Sequence, residues 1–241
     1  MNTLLKVENA TKHYGGLFAN DDISFSVYEG EIFGIIGPNG AGKTTLFNSI
    51  SGAHPITSGR IIFNGSDVTG MKAHRICKLG LGRTFQIPQS LDTLTVLENV
   101  MVGGLCRYHD IHQARSKAEE IVSFCELDND KNSLVGSLNV IRKKRVEIAR
   151  ALATQPRLLL LDETMAGLNN TERKQAVELI FKINKTGCTI ITIEHNMDVV
   201  MSVSNRVLVI HLGKFLKVGA PEEITKDEDV IKAYLGGAAN A

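Results

Sequence analysis

The chain has 241 residues, 27 basic against 26 acidic, for a formal net charge of +1, and its length suits one substantial domain with its own core. Charge this close to zero excludes attachment to nucleic acid by bulk electrostatics, so a partner has to be recognised locally. Four scattered cysteines, Cys77, Cys106, Cys125 and Cys188, show neither metal-ligand spacing nor the density of a secreted disulfide scaffold, which points to a reducing, cytosolic compartment.

The opening MNTLLKVENATKHY is too polar for a signal peptide. No apolar run reaches the roughly 18 to 20 residues of a membrane helix, so any membrane association is expected to be peripheral. In DDISFSVYEG, Ile23, Phe25 and Val27 alternate with Ser24 and Ser26. This is the period of a half-buried strand, and an antiparallel sheet is expected at this end of the chain. EIFGIIG is a continuous apolar run, a buried strand leading into GPNGAGKTTLFNSI, a glycine-rich turn and a helix. RIIFNG is a further short strand closed by an Asn-Gly turn. From residue 93 the pattern becomes helical. Thr95 and Glu98 form a capping pair, and Ala114, Ala118, Ile121, Val122 and Cys125 lie along one helical face. Alternation then returns: RVEIARALAT reads as helix, RLLLLDE as buried strand, TERKQAVELIFKINKTG as a helix closed by Gly187, CTIITIEH as strand and NMDVVMSV as helix. RVLVIHLGKFLKVG is a hairpin turning at Leu212-Gly213, and PEEITKDEDVIKAYLGG a terminal helical segment. The expected fold is α/β, in one domain over residues 1–241.

Residues 37–45, GPNGAGKTT, fit G-x-x-x-x-G-K-[ST] through Gly37, Gly42, Lys43 and Thr44. Between a buried strand and a helix, the loop of Gly37, Pro38, Asn39, Gly40, Ala41 and Gly42 can wrap nucleotide phosphates. Lys43 then reaches the β and γ phosphates, and the Thr44 hydroxyl, with Thr45 beside it, binds Mg²⁺. LLLLDE, 158–163, supplies the other half. Its strand presents Asp162 at the C-terminal edge to hold the Mg²⁺ shell, and Glu163 is suited to orient or deprotonate an attacking water.

This pair of motifs resembles the ATP-binding cassette family, and further stretches agree with it. Tyr14 in KHYGG matches the family's adenine-stacking aromatic, and Gln86 in RTFQIPQ the glutamine that approaches Mg²⁺ and water beside the transporter contact. AGLN, 166–169, matches the turn that crosses to the other subunit, and His195 in TIEHNMDVV the histidine that contacts the γ-phosphate. The resemblance covers roughly residues 4 to 236. It implies a P-loop NTPase of the ABC type: a mixed, largely parallel sheet core with an antiparallel β subdomain over about 1–85 and 154–241, and a helical subdomain over about 86–153. It also implies ATP and Mg²⁺ as cofactors, with Glu163, His195 and Gln86 in catalysis and Thr44, Gln86 and Asp162 at the metal. RTFQ, TVLENVMVG, Gly167 to Asn169 and EHNMDVV are most similar to ATPase subunits of bacterial and archaeal branched-chain amino acid importers.

One segment departs from the family. Ahead of RKKRVEIARAL the family carries a Leu-Ser-Gly-Gly-Gln type loop that covers the γ-phosphate of ATP bound to the partner subunit. Here Leu138 is followed by Asn139, Val140, Ile141 and Arg142. Branched side chains obstruct close approach of backbone to phosphate and disfavour positive φ. The run Arg142 to Arg145 is expected to attract phosphate while opposing the helix dipole. Three explanations stand: a tolerated variant that still closes, an engineered or mutated segment, or an asymmetric heterodimer in which this chain's own ATP meets a normal loop on a different partner. Thr164 and Asn170 stand where the family commonly has proline, so these turns are expected to lose some preset rigidity.

The expected protein is therefore an ATPase subunit on the inner face of the cell membrane, driving an importer for branched-chain or similar amino acids. Its expected partners are integral membrane permease subunits and a second cassette, heterodimer favoured and homodimer possible, with a solute-binding protein served indirectly and no nucleic acid. The groove near Gln86 to Met101 is expected to receive a short permease helix. Two alternatives remain: a nucleotide-gated clamp with little hydrolysis, and a soluble ATPase of the same fold acting on nucleic acid or ribosomes.

Overall fold

The computed structural model describes residues 2–194 and 196–237. Thr3–Tyr14 (β1) and Leu17–Tyr28 (β2) form an antiparallel hairpin whose inward positions, including Leu5, Val7, Ile23, Phe25 and Val27, are buried while Ser24 faces out. Ile32–Ile36 (β3) is buried along its whole length and runs through the phosphate loop into Lys43–Ile50 (α1). Ser58–Phe63 (β4) pairs with β1, and Asn64 and Gly65, both at positive φ, turn the chain into Ser66–Asp67 (β5). That is the backbone an Asn-Gly turn favours.

Ala73–Leu79 (α2) and Leu81–Arg83 (β6) follow; both are too short for a periodic signal, and neither was anticipated. Between β6 and the next strand the long elements are helices: Val96–Gly104 (α3), Ile111–Phe124 (α4) and Val140–Ala153 (α5). Thr95 and Glu98 do form the capping box of α3. Ala114, Ala118, Val122 and Cys125 are buried and Ile121 partly so. The chain then alternates through Leu158–Asp162 (β7), Asn170–Lys185 (α6), Thr189–Ile193 (β8), Met197–Val203 (α7), Arg206–His211 (β9) and Lys214–Gly219 (β10). It ends in Pro221–Ile224 (α8) and Glu228–Gly237 (α9).

Among the described residues, the ten strands join one sheet in the order β5-β4-β1-β2-β10-β9-β3-β8-β7-β6. The strands β9, β3, β8, β7 and β6 run parallel, and the β1, β2, β4 and β5 end is antiparallel. One hydrophobic cluster joins β7 and β8 to helices α3 to α6, and a second fills the space between the antiparallel strands, α1 and the parallel strands. At Gly34 a Cβ would lie 2.4 Å from Val200 Cγ1, so glycine there lets α7 lie against β3. The consequence for function is geometric: the loops that follow β3, β6, β7 and β8 all leave the same edge of the parallel strands, where ligands of such sheets bind.

Candidate nucleotide site

The phosphate loop is held from below by β2. Gly42, the N-cap of α1, has φ 100°, and a Cβ there would lie 2.1 Å from the Ala19 carbonyl and 2.6 Å from Asn20 Nδ2. Only glycine fits. The buried Asn20 amide donates to the Gly42 carbonyl at 3.1 Å. Lys43 arches back, its ammonium donating to the carbonyls of Gly37 at 2.7 Å and Pro38 at 3.0 Å. Burial lowers its pKa, while the carboxylates of Glu163 and Asp162 act in the opposite sense. The helix start therefore offers backbone N–H groups and one restrained cation to an anion.

Asp162 is 1% exposed at the end of β7 and forms an ion pair with Arg83 at 3.2 Å. Arg83 also donates to Asn48 Oδ1 at 2.8 Å and Ser51 Oγ at 2.9 Å, tying the acidic strand to α1. Glu163 has a left-handed backbone, φ 49°, and its N–H donates to the Ile193 carbonyl at 2.9 Å. A non-glycine residue held there is the kind of strain that functional turns carry. The carboxylate of Glu163 accepts from Gln86 Nε2 at 2.7 Å. The Gln86 loop is in turn pinned to α5, where buried Glu147 accepts from the N–H groups of Phe85 at 3.3 Å and Gln89 at 3.0 Å. Burial raises the Glu147 pKa against the effect of those bonds.

Tyr14, Asn39, Gly40, Ala41, Gly42, Lys43, Thr44, Thr45, Gln86 and Glu163 line a single cleft of about 610 Å³. Gly37 and Pro38 contribute the carbonyls beneath Lys43, and the Asp162 charge, though not part of the cleft lining, acts on the Lys43 ammonium. Tyr14 sits at the rim, 49% exposed, with the Lys12 ammonium 4.9 Å from its ring centre. His195 lies outside the described residues. For Mg²⁺, Thr44, Asp162 and Gln86 offer a hydroxyl, a carboxylate and an amide oxygen. This small set of hard donors fits an ion that takes its remaining ligands from phosphate and water.

The 137–152 segment differs from expectation in two respects. Asn139 is the N-cap of α5, its side-chain oxygen accepting from the Arg142 N–H at 2.9 Å, and Val140 and Ile141 form the first helical turn. Neither has a positive φ, so backbone strain is no part of the obstacle. What remains is bulk: Val140 is 61% exposed at the helix N-terminus, whereas Ile141 packs partly against the core. Nor are the four cations free to draw in phosphate. Arg142 pairs with Asp130 at 3.1 Å, Lys143 with Asp92 at 3.3 Å and Arg145 with Glu126 at 2.7 Å. Lys144 is turned inward onto the carbonyls of Glu163 at 3.0 Å and Ala166 at 2.9 Å.

The turns without proline are also tied. The Thr164 hydroxyl donates to Glu194 at 3.2 Å, and Asn169 caps α6 in a reciprocal pair with Glu172 at 2.8 and 3.0 Å. Asn170, the first residue of α6, needs no proline to set that turn. Arg83, Asn20, Lys144 and Glu194 were not among the expected site residues. Arg83 stands three residues before Gln86, the one hint available. The cysteines are closer than their spacing implies, since Cys77 and Cys106 line one cleft with Phe85 and Val102.

A phosphate loop after β3 and a buried aspartate after β7, facing each other across β8, define a P-loop nucleotide hydrolase. The antiparallel strands at one end of the sheet and the helices between β6 and β7 narrow the class. The chain belongs to the ATP-binding cassette transporter family of ATPases: the family model described as "ABC transporter" matches residues 20–166. A second, described as "Branched-chain amino acid ATP-binding cassette transporter", matches residues 218–240. Among curated relatives, the high-affinity branched-chain amino acid transport ATP-binding protein LivG of Escherichia coli (strain K12) is 38% identical, over 98% of each chain. The ADP conformation of MJ1267, an ATP-binding cassette of an ABC transporter, superposes with a TM-score of 0.87 at 30% identity, covering 98% of this chain and 100% of that one. A dimeric post-hydrolysis cassette, MJ0796 bound to ADP and Pi, has a TM-score of 0.82 at 26% identity, over 90% of this chain and 99% of that one.

Proposed function

We propose that this chain binds Mg²⁺-ATP in the cleft between Tyr14 and Glu163 and hydrolyses it to energise an importer of branched-chain or related amino acids. The observation that carries the reading is the convergence of Lys43, Gln86 and Glu163 on one cleft, with the Asp162 charge acting on Lys43. LivG's transport of branched-chain amino acids and the match at residues 218–240 support the substrate class.

In this mechanism the adenine stacks on the exposed Tyr14 ring. The phosphates lie on the loop from Gly37 to Gly42 and the N-terminus of α1. Lys43 leaves the Gly37 and Pro38 carbonyls for the β and γ phosphates, and Thr44, Asp162 and Gln86 hold the metal. Bound Mg²⁺ supplies positive charge that offsets the phosphates' charge. Glu163 orients the attacking water, with Gln86 holding its carboxylate in place. His195 contacts the γ-phosphate.

The chain works as one half of a cassette dimer bound to permease subunits at the inner membrane face, and the heterodimer is the favoured form. Its own catalytic residues then meet a normal signature loop on the partner, while exposed Val140 blocks close approach to the partner's γ-phosphate. A groove of about 390 Å³ between the α2 region and α3, lined by His74, Arg83, Phe85 and Val102, receives the permease helix. Among the described residues no helix is long and apolar enough to cross a membrane, so attachment runs through that groove. The test is ATPase activity of the full chain alone and with the cassette encoded beside it. Turnover only in the mixture, abolished by Glu163→Gln in this chain, supports the reading. Equal turnover by the isolated chain removes the asymmetry, and failure to bind Mg²⁺-ATP in calorimetry removes the function.

A further inference from the structure

Glu163 sits at the head of a short turn, residues 163–166, closed by a bond from the Ala166 N–H to the Glu163 carbonyl at 3.4 Å. That bond is long, the Glu163 backbone is left-handed, and the turn lacks the proline that would preset it. Something outside the turn has to hold it. On one side Lys144 of α5 reaches the Glu163 and Ala166 carbonyls. On the other, the Glu194 carboxylate, only 5% exposed at the end of β8, accepts from the Met165 N–H at 2.9 Å and from the Thr164 hydroxyl at 3.2 Å.

We propose that Glu194, acting through Thr164 and Met165, is a positioning residue for the Glu163 carboxylate. The inference rests on Glu163 being the water-orienting group. The argument is one of degrees of freedom. The Thr164 hydroxyl and the Met165 amide end on a single oxygen of a buried side chain. With that oxygen present, the turn cannot rotate without leaving a buried N–H unpaired, and the bond between Gln86 and Glu163 keeps its geometry. With it removed, the Glu163 carboxylate keeps its chemistry and loses its aim. Misplacement on the scale of about 1 Å is enough to slow a positioned step by one to two orders of magnitude. Among the described residues the hydrogen bonds of Glu194 go to Thr164 and Met165 and not to the phosphate loop, so nucleotide affinity is expected to stay unchanged.

The test uses the full chain assembled with its partner cassette. Glu194→Ala is expected to lower kcat about tenfold, with KM for ATP unchanged, and Glu194→Gln, which keeps an acceptor oxygen, to recover most of the loss. In a Glu163→Asp background, whose shortened carboxylate has already lost its aim but keeps measurable turnover, Glu194→Ala is expected to have no further effect, because the two side chains act as one unit. If Glu194→Ala does not fold, Thr164→Val, which loses one hydroxyl at nearly constant shape, is expected to lower kcat two- to threefold, about 0.4 to 0.7 kcal/mol at 1.4 kcal/mol per decade. Hydrogen exchange of the 163–168 segment in the isolated chain gives a readout without turnover: faster in Glu194→Ala, restored in Glu194→Gln. An unchanged kcat, a parallel rise in KM, or additive losses in the double variant would overturn the inference. If Glu163→Gln itself leaves hydrolysis intact, it is the reading of Glu163 that fails.

Discussion

Gln86 and Glu163, separated by 77 positions in sequence, meet at 2.7 Å. Their meeting joins the loop after β6, which α5 holds through Glu147, to the turn after β7. Movement of the helices relative to the sheet therefore reaches the carboxylate through this bond, besides the Lys144 bonds to the turn that carries Glu163. Gln86→Ala is expected to lower kcat by about a hundredfold, comparable to deleting one aimed donor elsewhere, while equilibrium ATP binding measured by calorimetry changes little.

Arg83 forms an ion pair with the buried Asp162 carboxylate and braces α1. Breaking a buried ion pair from one side typically destabilises by about 3 to 5 kcal/mol. For a chain of this length, that corresponds to a fall in melting temperature on the order of 10 °C. Arg83→Met, measured by scanning fluorimetry without nucleotide, is expected to show this loss. A fall of less than about 2 °C would mean that the pair contributes little.

Val140 is exposed at the start of α5 and Ile141 is packed, so the two replacements of the family's glycines separate experimentally. Val140→Gly removes bulk at the phosphate-facing helix end at a cost of about 0.5 to 1 kcal/mol. It is expected to raise hydrolysis at the partner's site severalfold. Ile141→Gly opens the core and lowers stability more than it helps activity. A Val140→Gly variant with unchanged ATPase, assayed with Glu163→Gln in this chain to silence its own site, would show that bulk is not what limits the loop.

Glu194 carries a pH signature of its own. Burial, outweighing the bonds from Met165 and Thr164 and the nearby Lys144 charge, pushes its pKa from 4.5 up to about 7. A carboxyl whose folded pKa is raised gives stability that is fully present below 4.5 and lost as pH rises through about 7. At about 1.4 kcal/mol per pH unit, that loss is at most about 3 kcal/mol. Glu194→Gln mimics the protonated form. Its melting temperature is expected to match the wild type at pH 5 and exceed it by about 5 to 10 °C at pH 8; a difference independent of pH would contradict this assignment.

Much of this site is local chemistry and was legible from the sequence. GPNGAGKTT after a buried strand and LLLLD followed by Glu163 each declare their geometry within nine residues, because a phosphate loop needs its glycines and lysine on one short turn. The Thr95–Glu98 cap, the Asn64-Gly65 turn and the Leu212-Gly213 turn, with φ of 49° and 77° at the last, were readable for the same reason. What escaped lies in contacts between residues distant in the chain. The sequence 142–145 displays four cations at a helix start, yet three of them pair with acids from the loop before α3 (Asp92) and the connection between α4 and α5 (Glu126 and Asp130), and the fourth, Lys144, is spent on the Glu163 turn.

Alone, the sequence determined which strand carries the phosphate loop and which carries the acidic pair, since these are matters of composition and period along the chain; the resemblance to the family added that its glycines are replaced by Val140 and Ile141. Only the tertiary structure decided that Arg83 holds Asp162, that Glu194 holds the turn bearing Glu163, and that Val140 projects while Ile141 packs inward. The first two depend on which strands lie side by side in the sheet, and the third on how α5 packs on the core. Strand order brings residues 30 to 80 positions apart within 3.2 Å of one another, and no local pattern encodes that adjacency.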